Sequence, residues 1–267
     1  VTLTALPDGS GWEVDGTSFV FEFGGGSTPD RFLIRKRQSL VDRYVVLAEQ
    51  LQGGVIVELG IAAGGSTALL SLLTRPSLLV ACELAAEPVG ALDEFIAARG
   101  LEGIVRPHYG VDQGDKERLA AIVDGARGAL PLDLVIDDAS HRYSETLASF
   151  EVLFPRLRPG GRYIVEDWAA DYAFAARITE ALAEPGAAAD AMEARLSVAR
   201  AEHPEGLAPL PRLGVELLEV AGTHPHVVRD LTIDHHWLSV ARGDADLDAA
   251  AFSLAEHRHD PWGWSTT

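Results

Sequence analysis

Between Val55 and Val165 the chain keeps switching between short apolar runs and helix-forming stretches. Val55–Leu59, Leu78–Cys82, Ile104–His108, Leu132–Ile136 and Tyr163–Val165 read as strands, and Ser66–Leu73, Val89–Arg99, Lys116–Val123 and Ser144–Leu157 read as helices. This alternation implies parallel strands joined by crossover helices. Runs that are apolar throughout fit strands buried on both faces. Gln38–Leu51 reads as a further helix ending at Gly53-Gly54. Val215–Val220, His226–Ile233 and Trp237–Ala241 read as terminal strands, the last two forming an antiparallel hairpin around Asp234-His235. The first 35 residues read as a short appendage with one strand at Phe19–Phe23, broken by Gly24-Gly25-Gly26-Ser27. No repeat or low-complexity linker divides the chain. One domain is expected over 1–267, with an appendage over 1–50, a binding core over 54–170 and C-terminal helices and strands over 171–267.

Composition narrows the partners. A net charge of -18 argues against nucleic acid and anionic membranes, both of which select basic surfaces. The single cysteine, Cys82, rules out an internal disulfide framework. No apolar run approaches the roughly 20 residues of a membrane span. Val1–Ser10 has neither a basic start nor an apolar stretch, so no signal peptide and a cytoplasmic location are expected.

Acidic residues gather at the predicted strand ends. The run Leu132–Ile136 closes on Asp137 and Asp138, and His141 follows; after the turn RPGG, the run Tyr163–Val165 closes on Glu166 and Asp167. Neighbouring parallel strands would bring both pairs to the carboxyl edge of the sheet, where open α/β sheets bind ligands. Several carboxylates beside one histidine suggest a divalent metal with a general base next to it. Upstream, Glu58-Leu59-Gly60-Ile61-Ala62-Ala63-Gly64-Gly65-Ser66 joins the first core strand to its helix. Glycines there let a ligand approach the backbone at a helix N-terminus. Ala62 and Ala63 depart from the dinucleotide fingerprint G-x-G-x-x-G, which disfavours a nicotinamide dehydrogenase. Glu83 ends the second strand, where a carboxylate can accept both hydroxyls of a ribose, and Asp112 follows the third, within reach of an adenine amino group.

The order ELGIAAGGS, then Glu83, then GVDQGD resembles a class I S-adenosylmethionine-dependent methyltransferase. The segments DDASH and VEDW resemble the metal-dependent sugar O-methyltransferases of the macrocin and mycinamicin type, their rhamnosyl-directed relatives and the cephalosporin hydroxylase proteins; the likeness covers about Val55 to Trp168. The resemblance implies a Rossmann-like α/β fold, with a mostly parallel sheet, an antiparallel C-terminal strand and helices on both faces. It implies that Gly60, Gly64, Gly65 and Ser66 hold the methionine part of S-adenosylmethionine, that Glu83 binds its ribose, and that Asp112 and Gln113 bound its adenine. It assigns Asp138, Glu166 and Asp167 to magnesium and His141 to the base. Glu58 joins the cofactor set as the first strand-end acid, and Asp137 takes a supporting or cofactor-side role. The implied reaction is methylation of a sugar hydroxyl on a glycosylated natural product or polysaccharide. A phenol or catechol acceptor, or a non-methylating adenosyl-binding partner of an oxidation system, are the alternatives. The expected partner is a small-molecule or saccharide acceptor, and the chain is expected to form a dimer or larger homo-oligomer.

Other signals are read more plainly. His224, His226, His235 and His236 lack a cysteine companion and are read as surface or packing histidines rather than a zinc site. Trp168, Tyr172 and Phe174 fit an acceptor wall or core packing equally. Arg35, Lys36 and Arg37 are read as a solvated basic face rather than a closure over the site. The tail His257–Thr267 is polar and aromatic, suiting disorder or packing on a neighbour.

Overall fold

A computed structural model describes residues 3–258 except 23, 171, 173–178, 181, 184–185 and 203–207. Strands β5 (Val55–Leu59), β6 (Leu78–Glu83), β7 (Val105–Tyr109), β8 (Leu132–Asp137), β9 (Leu157–Glu166), β10 (Val228–Ile233) and β11 (Trp237–Arg242) form one seven-stranded sheet in the order β10-β11-β9-β8-β5-β6-β7. The pairs β8–β9, β8–β5, β5–β6 and β6–β7 are parallel, and β11 runs antiparallel to both β9 and β10. This is the expected mostly parallel sheet with one antiparallel C-terminal strand. Strand order reverses at β5, which has β6 on one side and β8 on the other. A crevice opens at the carboxyl edge of such a switch point.

Alternating residues of the buried strands serve two cores. Ile56, Leu79, Ala81, Leu134 and Ile136 face the helices α1 (Gln38–Gln50), α2 (Gly65–Thr74) and α3 (Gly90–Ala98). Val55, Val57, Val80 and Val135 face α4 (Lys116–Arg127), α5 (Tyr143–Leu153) and the C-terminal helix. Every residue of β5 is buried, as a strand covered on both faces requires.

The structure departs from the sequence reading at several places. The N-terminal appendage is a four-stranded sheet, β1 (Thr4–Ala5), β2 (Gly11–Val14), β3 (Thr17–Val20) and β4 (Arg31–Leu33), whose Trp12, Val14, Phe19 and Phe32 enter the first core. The C-terminal part contains α6 (Ala187–Glu202). Val215–Val220 is not a strand. It lies inside α7 (Pro211–Thr223), which starts with Pro at its first position and buries Leu213, Leu217 and Val220 at helical spacing. The hairpin β10–β11 forms where expected, with Asp234 accepting from the amides of His236 and Trp237. No described helix is long and apolar enough to cross a membrane.

Candidate active site

Two adjoining cavities occupy the crevice. One, of about 260 Å³, is lined by Gly60, Ala62, Glu83, Asp112, Gln113 and Asp138, among others. The other, of about 290 Å³, is lined by Ile34, Lys36, Gly65, Ser66, His141 and Asp167, and shares Gly60, Ala62, Asp138 and Ala139 with the first. Together they run from the ends of β6 and β7, across the glycine loop, to the ends of β8 and β9.

Two glycines of the loop are required by neighbouring backbone. Gly60 has φ +94°, and a Cβ there would lie 2.3 Å from the Asp138 carbonyl oxygen. A Cβ at Gly65 would lie 2.2 Å from the Leu33 carbonyl oxygen. The loop is therefore pressed against the Asp138 segment on one side and the end of β4 on the other. Gly64 caps α2 with φ +84°, its open side facing Leu92 and Phe32 of the core rather than either cavity. One oxygen of Glu83 accepts from the amides of Ile61 and Ala62, each at 2.9 Å, and the other accepts from Ala85 at 3.0 Å. That fixes a carboxylate at the cavity wall and shapes the loop. Asp112 accepts from the Gly114 amide at 2.8 Å and lines the same cavity.

Two residues assigned to the site from sequence lie behind it. Glu58 is fully buried on the α2 side and accepts from Thr67 Oγ1 at 2.5 Å. Burial pushes its carboxyl up to about 7, with the hydroxyls of Ser66 and Thr67 opposing. Asp137 is also buried and accepts from Tyr163 OH at 2.7 Å, Ser149 Oγ at 3.0 Å and Gln113 Nε2 at 3.1 Å. Burial raises its carboxyl against those donors. Gln113 accepts from the Ser140 amide at 2.8 Å and so ties the β7 loop to the loop after β8.

The metal-ligating chemistry gathers at the ends of β8 and β9. Asp138, His141 and Asp167 each offer one ligand atom, and these atoms lie within 4.8 Å of one another; no other such group occurs among the described residues. His141 Nε2 is 3.8 Å from Asp138 Oδ1. His141 and Asp167 have φ of +53° and +48°, a left-handed backbone that costs energy outside glycine and collects at functional sites. Two carboxylates and an imidazole around one point fit a divalent cation. His224, His226, His235 and His236 do not form a metal cluster among the described residues: His224 bonds Thr223, His226 bonds Asp244 and His236 bonds Ser39.

Glu166 has its own partners. It is 2% exposed; one oxygen accepts from Tyr44 OH at 2.5 Å and Trp237 Nε1 at 3.2 Å, and the other accepts from Lys36 Nζ. Lys36 Nζ also donates to Asp138 Oδ2 at 2.8 Å. Burial alone would lower the Lys36 ammonium, but the Glu166 and Asp138 carboxylates outweigh it and hold it well above its ordinary value. Burial likewise raises Glu166, against the pull of Lys36. The basic cluster is thus not a uniform solvated face. Arg35 and Arg37 are exposed, whereas Lys36 is 5% exposed and enters the site. Lys36, Tyr44 and Trp237 were not readable as site residues. Tyr44 shares a buried helix face with Leu40, Val41 and Ala48, a spacing that marks it as inward but not as a carboxylate partner. Trp168 donates to the Asp234 carbonyl at 2.7 Å and packs on the second core, Tyr172 is exposed, and Phe174 lies outside the described residues.

Residues 57–168 match the family profile described as "Methyltransferase domain". The chain is 40% identical over 79 residues to the 8-demethyl-8-alpha-L-rhamnosyl tetracenomycin-C 2'-O-methyltransferase of Streptomyces olivaceus, a match covering 24% of this chain and 21% of that protein. It is 50% identical over 60 residues to the mycinamicin VI 2''-O-methyltransferase of Micromonospora griseorubida, covering 22% and 14% respectively. Among solved structures, the MycE methyltransferase of the mycinamycin biosynthetic pathway, in complex with Mg, SAH and mycinamycin VI, aligns with TM-score 0.53 at 21% identity, over 86% of this chain and 54% of that one. The matched segments span about a fifth or less of these curated relatives and about half of the solved structure. Residues 57–168 thus match a methyltransferase domain, and short segments of the chain resemble the mycinamicin-type and rhamnosyl-directed sugar O-methyltransferases.

Proposed function

We propose that this protein transfers the methyl group of S-adenosylmethionine to a sugar hydroxyl, with magnesium bound beside the acceptor. The observation that carries the reading is the convergence of Asp138, His141 and Asp167 on the edge of a cavity walled by the glycine loop, Glu83 and Asp112. The names of the curated relatives, sugar-directed O-methyltransferases, support the choice of acceptor class.

In this reading Glu83 accepts the ribose hydroxyls with the lone pairs left free by the loop amides. Asp112 and Gln113 close the adenine end, and Gly60, Gly65 and Ser66 pass the methionine portion toward Asp138. Asp138 and Asp167 hold the cation, with Glu166 beside them across Lys36. Bound magnesium would acidify a coordinated hydroxyl and template two adjacent oxygens, which suits a vicinal diol. His141 takes the hydroxyl proton on Nε2 as the methyl group transfers. General-base help is typically worth ~10²–10⁴-fold, and orientation of reactants supplies roughly 7–11 kcal/mol. Positioning by the loop and the carboxylates therefore outweighs the base. We also propose a dimer or larger assembly, for which light scattering is the test.

The test of function is transfer of labelled methyl from S-adenosylmethionine to diol-bearing sugars, with magnesium and with EDTA. Metal-dependent labelling of a sugar is expected. Labelling of catechols alone would move the acceptor to the phenolic class.

A further inference from the structure

The ammonium of Lys36 lies between Asp138, which the functional reading gives to magnesium, and Glu166, which the sequence resemblance adds to the ligand set. Lys36 Nζ donates to Asp138 Oδ2 at 2.8 Å and to Glu166 Oε2. The side chain is 5% exposed and rests on the Tyr44 ring, Nζ lying 5.2 Å from its centroid. A buried carboxylate, Glu166, next to the part-exposed Asp138 is costly without a counter-charge, so the site needs a cation whether or not a metal is present. The ammonium supplies it internally. An ammonium and a divalent ion cannot share one position between the same oxygens, because the like charges repel and each carboxylate oxygen has few lone pairs to offer.

We propose that Lys36 is a built-in competitor of the metal: its ammonium closes the metal-free site, and metal entry drives it out. This inference rests on the metal-binding reading above. Its consequence reaches beyond the ligands. Lys36 belongs to the linker between β4 and α1, and Leu33, Ile34, Arg35 and Lys36 line the cavity that also holds Gly65, His141 and Asp167. Withdrawal of Lys36 therefore couples metal occupancy to the wall of the cofactor and acceptor cleft. The N-terminal sheet thereby acquires a role in the active site.

The chain contains only two lysines, Lys36 and Lys116, which makes the displacement readable in the unmodified protein. Lys116 is half exposed and serves as the internal control. Reductive methylation followed by peptide mass analysis should find Lys36 protected in EDTA and labelled several-fold faster with saturating magnesium, while Lys116 labels alike in both. In parallel, manganese binding is titrated by electron paramagnetic resonance in wild type and Lys36→Met, which keeps an unbranched side chain one heavy atom shorter and removes the charge. The variant should bind manganese about tenfold more tightly or better. Equal or weaker affinity in Lys36→Met, or unchanged protection of Lys36 on metal binding, overturns the proposal. If the variant does not fold, the labelling experiment decides alone. Absence of manganese binding in both proteins overturns the proposal together with the metal half of the functional reading. The cofactor half is then judged separately, by binding of S-adenosylhomocysteine.

Discussion

Asp137 and Asp138 leave the end of β8 on opposite sides: Asp137 is buried against Tyr163, Ser149 and Gln113, and Asp138 faces the cleft and Lys36. Alternation along a strand produces this division. The two conservative variants should therefore differ in kind. Asp137→Asn replaces an acceptor oxygen with an amide group among donors that all need acceptors, and should cost about 1–3 kcal/mol of stability. Asp138→Asn should leave the urea midpoint closer to wild type and abolish metal-dependent turnover. Denaturation and activity measured on both variants check the contrast.

His141 sits in a left-handed backbone conformation, φ +53°, which Asn tolerates better than Ala. His141→Asn should keep S-adenosylhomocysteine affinity and lower kcat about 10²–10⁴-fold. Turnover at the wild-type rate would remove His141 from the base role.

Gly60 is fixed twice over, by φ +94° and by the Asp138 carbonyl 2.3 Å from the position of an added Cβ. Because that neighbour is backbone, it cannot rotate away. Gly60→Ala should destabilise the fold on the order of 2–4 kcal/mol and weaken cofactor binding. Wild-type stability together with wild-type affinity would contradict the account of the loop.

Glu58 should leave a mark on the pH dependence of stability. Burial raises its carboxyl from 4.5 to about 7 in the folded chain. Between those values the folded state holds a proton that the unfolded state has released, so stability falls as pH rises through the window and levels off above it. The whole effect is at most about 3 kcal/mol. Glu58→Gln should flatten this slope, and the comparison is urea denaturation of both proteins at pH 5 and pH 8. Parallel pH profiles would place the ionisation elsewhere.

Much of the central sheet is legible because β5, β6 and β8 are apolar runs bounded by turns, and their boundaries fall within a residue of the sequence reading. The N-terminal sheet is not, since its strands are two to four residues long and each is stabilised by pairing with the next. Its local signals are the strand read at Phe19–Phe23, which overlaps β3, and Asp15-Gly16, with φ of +50° and +76°, the turn of the β2–β3 hairpin. Val215–Val220 carries enough Val and Leu to resemble a strand. The helical period appears only when Leu213 is counted with Leu217 and Val220. At the site, the acidic strand ends and His141 are visible in the sequence because strand-helix alternation places them on one edge. Lys36 is not, because its burial depends on Asp138 and Glu166, more than a hundred residues away along the chain.

The central claim, a cofactor pocket built on Gly60, Glu83 and Asp112, is tested most directly by calorimetric titration of S-adenosylhomocysteine into the protein, in magnesium and in EDTA. Saturable binding in both conditions, weakened by Glu83→Ala, is the predicted result. No binding in either condition would contradict it.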